Sequence, residues 1–362
     1  MAATAPKTIL FCTFLLLLHT LPQSRAALDT HYYDKTCPQA EKIIFQTVYN
    51  ASMHDPKVPA RILRMFFRDC FIRVYHLCSM HLALISILDL CRAYICVGVF
   101  FDRTHSYNLV DWGCDASLLL DSTPGNQAEK DGPPNISVRS FYVIDEAKAK
   151  LEAACPHIVS CADIIGIAAR DVVTMSRGPY WTVLKGRKDG RVSRANETIN
   201  LPAPTFNVSQ LIQSFAKRGL GVKELVALSG GHTLGFSHCS SFEARLRNFS
   251  PVHDLDPTMD SEFALKLRKQ CPKPNRDHSA GELLDSTSSI FDNDYYKRLI
   301  GGKGVFGSDQ ALFGDFRTKW IVESFAKDQS LFFKEFAASM EKLGNVGVIE
   351  NGEVRVNCRV VD

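Results

Sequence analysis

His232 stands directly behind a Gly230-Gly231 pair, and His238 follows six residues later. Leu225 and Leu228, spaced i,i+3 after Val222-Lys-Glu, read as the end of an amphipathic helix that the glycines break. His232 is then expected among the first residues of the next helix, with a fixed backbone and little freedom of aim. A metal or cofactor ligand suits that placement. So does a core histidine hydrogen-bonded to a neighbour, the commoner role for a histidine taken alone. Six apart on a helix, His232 and His238 point away from each other and cannot clasp one ion. The chain has no HExxH, CxxC or CxxCH, which removes support for zinc-protease, zinc-ribbon and covalent c-type haem readings. What remains is a site built on one histidine, as a haem iron needs.

Two arginines form the other constellation. The stretch 59–70, Pro-Ala-Arg-Ile-Leu-Arg-Met-Phe-Phe-Arg-Asp-Cys, opens with proline, carries strong helix formers and reads as a helix. Arg64, Phe67 and Arg68 fall at i, i+3 and i+4 and so share one face. Without further context the arginines are a pair of solvated helix-face charges. Around them, residues 38 to about 53, 141–154 and 161–174 have helical character. Glu129-Lys-Asp-Gly-Pro-Pro-Asn135 is a Pro-Gly loop. Residues 181–190 read as a short strand and turn, and Leu201-Pro-Ala-Pro204 as a turn.

The length of 362 residues allows one large domain or two ordinary ones. Apolar residues at 46% and charged residues at 22% describe a soluble globular chain with ample core. Net charge is +3, and Lys7 and Arg25 in the leader supply two of those charges. The remainder is nearly neutral, which argues against nucleic acid or an anionic membrane as partner. Residues 1–26 read as a secretory signal: basic Lys7, an apolar run from Ile9 to Leu18, and small residues at Ser24-Arg-Ala26. The run is too short to span a bilayer. Secretion makes disulfides plausible for the cysteines beyond Cys12. Sequons beginning at Asn50, Asn135, Asn196, Asn207 and Asn248 fit a glycoprotein.

The stretch from Leu225 to Cys239 resembles the proximal haem motif of the secretory plant (class III) haem peroxidases. Other segments of that family follow in order. Arg64, Phe67, Asp69 and Cys70 match the distal pattern Arg-x-x-Phe-His-Asp-Cys, and Gly113-Cys-Asp-Ala-Ser117 matches its continuation. The resemblance implies His232 as iron ligand through Nε2, with Asp309 of Gly307-Ser-Asp-Gln310 holding its other nitrogen. It implies Arg64 as stabiliser of the charge that develops on peroxide. It makes Asn135 the buried residue that orients a distal histidine, and the Pro202 carbonyl the acceptor for a phenolic substrate. It implies a distal Ca²⁺ held by Asp69, Ile72, Gly113, Asp115 and Ser117, supported by Glu129 through water. A proximal Ca²⁺ is implied at Thr233, Asp285, Thr287, Ile290 and Asp292, hard oxygen donors in both cases. Asp285 lies two residues before Thr287 where family members commonly have three. The implied disulfides are Cys37–Cys155, Cys70–Cys114, Cys161–Cys358 and Cys239–Cys271; spacing alone leaves the connectivity open.

This sequence departs from the family in two further places. Arg68 stands where the family carries its distal histidine, the group that takes a proton from peroxide and returns it to the leaving oxygen. A guanidinium offers donors only and cannot act as that base. The loss of a positioned acid–base group costs about 10²–10⁴-fold in rate. The second departure is residues 74–112, which interrupt the motif between Arg73 and Gly113. They are rich in Leu, Ile, Val, Phe and Tyr, contain no proline, and hold Cys78, Cys91 and Cys96. The segment reads as extraneous to the fold, such as an intron of whole codons read through. A membrane-touching or partner-binding loop is the rival reading.

The resemblance therefore implies a mainly α haem-peroxidase fold of two helical halves enclosing haem b, with minor short β. It spans residues 27–362 as one interrupted domain. The implied function is a secreted, monomeric enzyme of the cell wall or apoplast. It would use hydrogen peroxide to oxidise phenols by one-electron steps, as in lignin metabolism and peroxide removal. The alternative is a secreted haem-binding relative with little or no catalysis because of Arg68.

Overall fold

Helices carry nearly all of the regular structure. A computed structural model describes residues 28–73, 113–274, 277–349 and 351–362. The expected signal and the interrupting segment 74–112 lie outside these residues. The first half gathers α1 (Ala40–His54), α2 (Val58–Ile72) and α3 (Phe141–Ala154) around α4 (Cys161–Met175). Ser160 caps α4 by accepting from the Asp163 amide, and all of the helix from Cys161 to Val173 is buried. A helix buried on every face belongs at the centre of its domain. Phe66 Cε2 lies 3.6 Å from where a Cβ on Gly166 would stand, an ordinary contact distance, so α2 packs directly on α4.

The second half contains α5 (Val208–Ala216), α6 (Val222–Ser229), α7 (Glu243–Leu246), α8 (Ser261–Gln270) and α9 (Asp294–Ile300). It continues with α10 (Gly307–Gly314), α11 (Phe316–Lys327) and α12 (Gln329–Gly344). One apolar cluster runs through both halves, from Ile62 and Phe66 to Leu225, Phe332 and Phe336. A smaller one collects Phe242, Leu246, Phe263 and Leu267. Strand β1 (Phe236–His238) pairs antiparallel with β2 (Gly281–Leu283), Ser237 opposite Glu282. The architecture is mainly α with minor β, as expected. Among the described residues no helix is long and apolar enough to cross a membrane.

Two local expectations are corrected. Residues 181–190 form no strand, only isolated bridges at Lys185 with Asp29 and Asp189 with Glu353. The buried Asp163 carboxylate takes the amides of Gly186 at 2.6 Å and Arg187 at 3.3 Å, so they are not free to pair with a strand. His232 does not open a helix. It lies in a 3₁₀ turn, Gly230–Thr233, after which the chain enters β1. Gly235 takes φ +113° and exchanges backbone bonds with Ser288 and Leu284, which draws the chain away from helix.

Sulfur–sulfur bonds join Cys37 to Cys155, Cys70 to Cys114, Cys161 to Cys358 and Cys239 to Cys271. The Cys70–Cys114 bridge holds two Cα atoms 4.1 Å apart. The chain therefore leaves α2 after Arg73 and returns beside it at Gly113. Of the five sequons, Asn135 is buried, whereas Asn50, Asn196, Asn207 and Asn248 are exposed.

Candidate active site

The turn that carries His232 is pinned from behind. A Cβ at Gly230 would lie 2.3 Å from Tyr296 Oη and 2.5 Å from Phe332 Cε2, so only glycine fits there. His232 Nδ1 lies 2.9 Å from Asp309 Oδ1, and Tyr295 Oη donates to the same oxygen at 2.9 Å. Asp309 sits buried in the first turn of α10, where unpaired helix amides favour a carboxylate. Burial, and next the Asp309 charge, push the Tyr295 hydroxyl well above the usual tyrosine range, so it remains a donor. Because a carboxylate only accepts, Nδ1 carries the proton of the neutral ring and the lone pair is left on Nε2. Phe306 meets the ring edge-on at 5.2 Å between centroids. Even so, 42% of the His232 side chain is open. This geometry makes a good axial ligand.

Helix α2 carries the other constellation. Arg64 Nη2 donates to Ser137 Oγ at 2.9 Å and to the Pro134 carbonyl at 3.3 Å, which ties the helix to the loop bearing Asn135. Asn135 is buried and its Nδ2 donates to the Glu129 carbonyl at 2.9 Å. Its Oδ1 is also buried and accepts no hydrogen bond among the described residues. Phe67 stacks on Phe71 at 4.1 Å and leans on Phe215. Arg68 has no hydrogen-bond or ion-pair partner among the described residues. Burial, and then the charge of Arg64, push its guanidinium down to about 9.

Two oxygen-rich clusters flank these groups. Thr233 Oγ1 donates to Asp285 Oδ2 at 2.5 Å and lies 3.4 Å from Asp292 Oδ1 and 3.5 Å from the Ile290 carbonyl. Thr287 joins through its amide, 2.9 Å from Asp285 Oδ1. Burial, opposed by the Thr233 bond and helped by the charge of Asp292, raises the Asp285 carboxyl to about 7. Two carboxylates, two hydroxyls and a carbonyl are the donors a hard divalent ion takes. At the other cluster Asp69 accepts from the Ala116 amide at 2.9 Å and the Leu118 amide at 3.3 Å. Ser117 Oγ donates to Glu129 Oε2 at 3.2 Å, and the Ile72 carbonyl accepts from Asn200. Asp115 and Glu129 bind the Arg73 guanidinium. Among the described residues no three His, Cys, Asp or Glu side chains stand ready to hold a metal.

The peroxidase family model matches residues 44–328. Peroxidase 66 of Arabidopsis thaliana is 63% identical over 357 residues, 98% of this chain and 99% of its own length. Peroxidase 64 of the same plant is 49% identical over 335 residues, 92% and 93% of the two chains. Peroxidase 1 of Oryza sativa subsp. japonica is 38% identical over 348 residues, 94% of each. The chain belongs to the plant class III peroxidases.

As a peroxidase it takes haem as its cofactor, with hydrogen peroxide and a reducing donor as substrates. The residues fit haem on the His232 side, where an open imidazole presents a bare nitrogen and its other nitrogen is anchored. The half-buried Pro202 lies in a loop that abuts the same anchor, since the Pro204 carbonyl accepts from Ser308 at 2.9 Å, one residue before Asp309. The structure also brings in residues that sequence reasoning missed. Tyr295, just past the expected Ca²⁺ ligand Asp292, completes the Asp309 anchor; its one signal was a tyrosine in a helix whose hydroxyl needs a partner once buried. Arg73 was passed over as the last residue before the interruption. The four disulfides fit an oxidising compartment.

Proposed function

We propose that this peroxidase is a secreted wall enzyme that binds haem b non-covalently between its helical halves and oxidises phenols one electron at a time. Haem, when bound, supplies the redox centre that peroxide oxidises and donors reduce. His232 holds it through Nε2. Asp309, bonded to Nδ1 and steadied by Tyr295, fixes the ring's tautomer and makes the nitrogen a stronger electron donor. Arg64, locked to the Ser137 and Pro134 loop, stabilises negative charge on the peroxide oxygens. The Pro202 carbonyl accepts a hydrogen bond from the hydroxyl of a phenol at the rim. Thr233, Asp285, Thr287, Ile290 and Asp292 hold one Ca²⁺ on the His232 side. Asp69, Ile72, Gly113, Asp115 and Ser117, backed by Glu129, form the oxygen set for a second. Residues 1–26 direct secretion, and 74–112 are extraneous. The mature chain acts as a monomer.

The observation that carries this reading is the His232–Asp309–Tyr295 relay, a ring nitrogen secured by a buried carboxylate and tyrosine. Its test is reconstitution of the disulfide-bonded protein with haem. The wild type should show a Soret band and oxidise guaiacol with peroxide, and His232→Ala should lose the band almost entirely. A Soret band unchanged in that variant overturns the reading.

A second reading, a haem-binding protein of little catalysis, is favoured by Arg68 together with the stranded Asn135 Oδ1. Both readings expect haem uptake. Turnover separates them. A peptide map of the mature protein across Arg73 and Gly113 tests whether residues 74–112 are present.

A further inference from the structure

Arg73 closes α2 and turns its side chain into the oxygen cluster on the α2 side. Nε lies 3.0 Å from Glu197 Oε2 and 3.3 Å from Glu129 Oε1, and Nη1 lies 3.5 Å from Asp115 Oδ2. Side-chain exposure is 3% for Arg73, 2% for Asp115 and 0% for Glu129, but 16% for Glu197. Asp69 lies in the same cluster with both carboxylate oxygens on backbone amides. One guanidinium therefore serves a buried group of acids that it cannot neutralise alone.

A Ca²⁺ ion needs its oxygens at about 2.3–2.6 Å and from several directions. An ion at that range of Asp115, with Glu129 behind it through water, meets the Arg73 charge at a separation where like charges in a buried site repel strongly. The two cations cannot share those oxygen atoms. Glu197, partly exposed on the 3₁₀ turn Ala195–Asn200, gives the guanidinium a second seat toward the rim.

We propose that Arg73 is a tethered competitor for the distal Ca²⁺ set, seated on Asp115 and Glu129 when the ion is away and on Glu197 alone when it enters. This rests on the calcium reading given above. It gives the distal ion a weaker hold than the proximal one, and it spares the metal-free protein a set of uncompensated buried carboxylates.

The test uses full-length haem-loaded protein stripped with EGTA, then titrated with Ca²⁺ by calorimetry and with Tb³⁺ by luminescence. The wild type should fill one site tightly and a second roughly tenfold or more weakly. Arg73→Gln should tighten the second site by about tenfold, leave the first unchanged and lower the melting temperature of the stripped protein. Two equally tight sites in the wild type, unaffected by Arg73→Gln, overturn the competition. A single ion in both proteins, lost in Asp292→Asn, removes the distal site and the proposal with it while the proximal site stands. No ion in either protein removes the calcium reading as a whole. Should Arg73→Gln yield no folded protein, Glu197→Gln replaces it. Without the rim seat the second ion should bind more weakly still, and an unchanged affinity overturns the swing.

Discussion

His232 and Arg68 answer to opposite requirements, and their surroundings differ accordingly. Around His232 every polar atom of the anchor has a partner, and only Nε2 is left bare. Nδ1 meets Asp309, Tyr295 shares that carboxylate, and glycine behind the turn leaves no slack. Around Arg68 the accounts do not close. The guanidinium has no counter-ion among the described residues, its charge is opposed by Arg64, and Asn135 Oδ1, in the loop that Arg64 holds, accepts nothing among the described residues. On the proposed function, cofactor retention depends on the first region and proton handling on the second. A chain can therefore keep its haem while losing most of its speed.

The largest expected effect is at position 68. With residues 74–112 deleted, Arg68→His should react with peroxide about 10²-fold faster or more than the same deletion carrying arginine, since a proton acceptor is restored. Stopped-flow absorbance measures this. Equal rates would remove the distinction between the two regions. Next comes Asp309→Asn, which keeps the ring's neighbour but removes its charge. Haem should remain, the iron's reduction potential should rise, and activity should fall by about 10–100-fold. Loss of haem instead would mean the anchor is structural.

The smallest effect is on stability and depends on pH. Burial and Arg64 push the Arg68 guanidinium down to about 9 from its ordinary 12.5. The folded chain thus holds this proton less tightly than the unfolded chain. The resulting cost is present throughout the range below pH 9 and fades as pH rises past it. Arg68→Met in the haem-free protein should accordingly raise unfolding free energy by about 2 kcal/mol at pH 7. The gain should shrink by pH 10. Urea titrations at the two values read the difference, and a gain that grows with pH contradicts the assigned burial.

In the first half the helices were legible from periodicity and punctuation, whereas most of those in the second half were not read from the sequence. The run 141–154 matches α3, and 59–70 falls inside α2. Residues 181–190 were not legible, since the carboxylate that consumes their amides comes from Asp163, which no local pattern announces. His232 was placed correctly as an anchored residue behind glycines but on the wrong element, because Gly235 bends the chain through contacts with residues in the 280s. Asp309 lies 77 residues from His232 in sequence and 2.9 Å in space. No spacing rule joins the two, so that pair was readable only through family likeness. Tyr295 and Arg73 lie beside motif residues but had no role assigned to them by those motifs. Their parts arise from what folding packs beside them.

Arg355 is fully buried, and it donates to the Ala116 carbonyl at 2.8 Å and to the Cys358 carbonyl at 2.8 Å, with its own amide on Asp189. A ribosome builds residue 116 long before residue 355 exists. The loop beside Asp69 must therefore wait, unlatched, until synthesis has run almost to position 358. That loop, made early, is among the last parts of the enzyme to be secured.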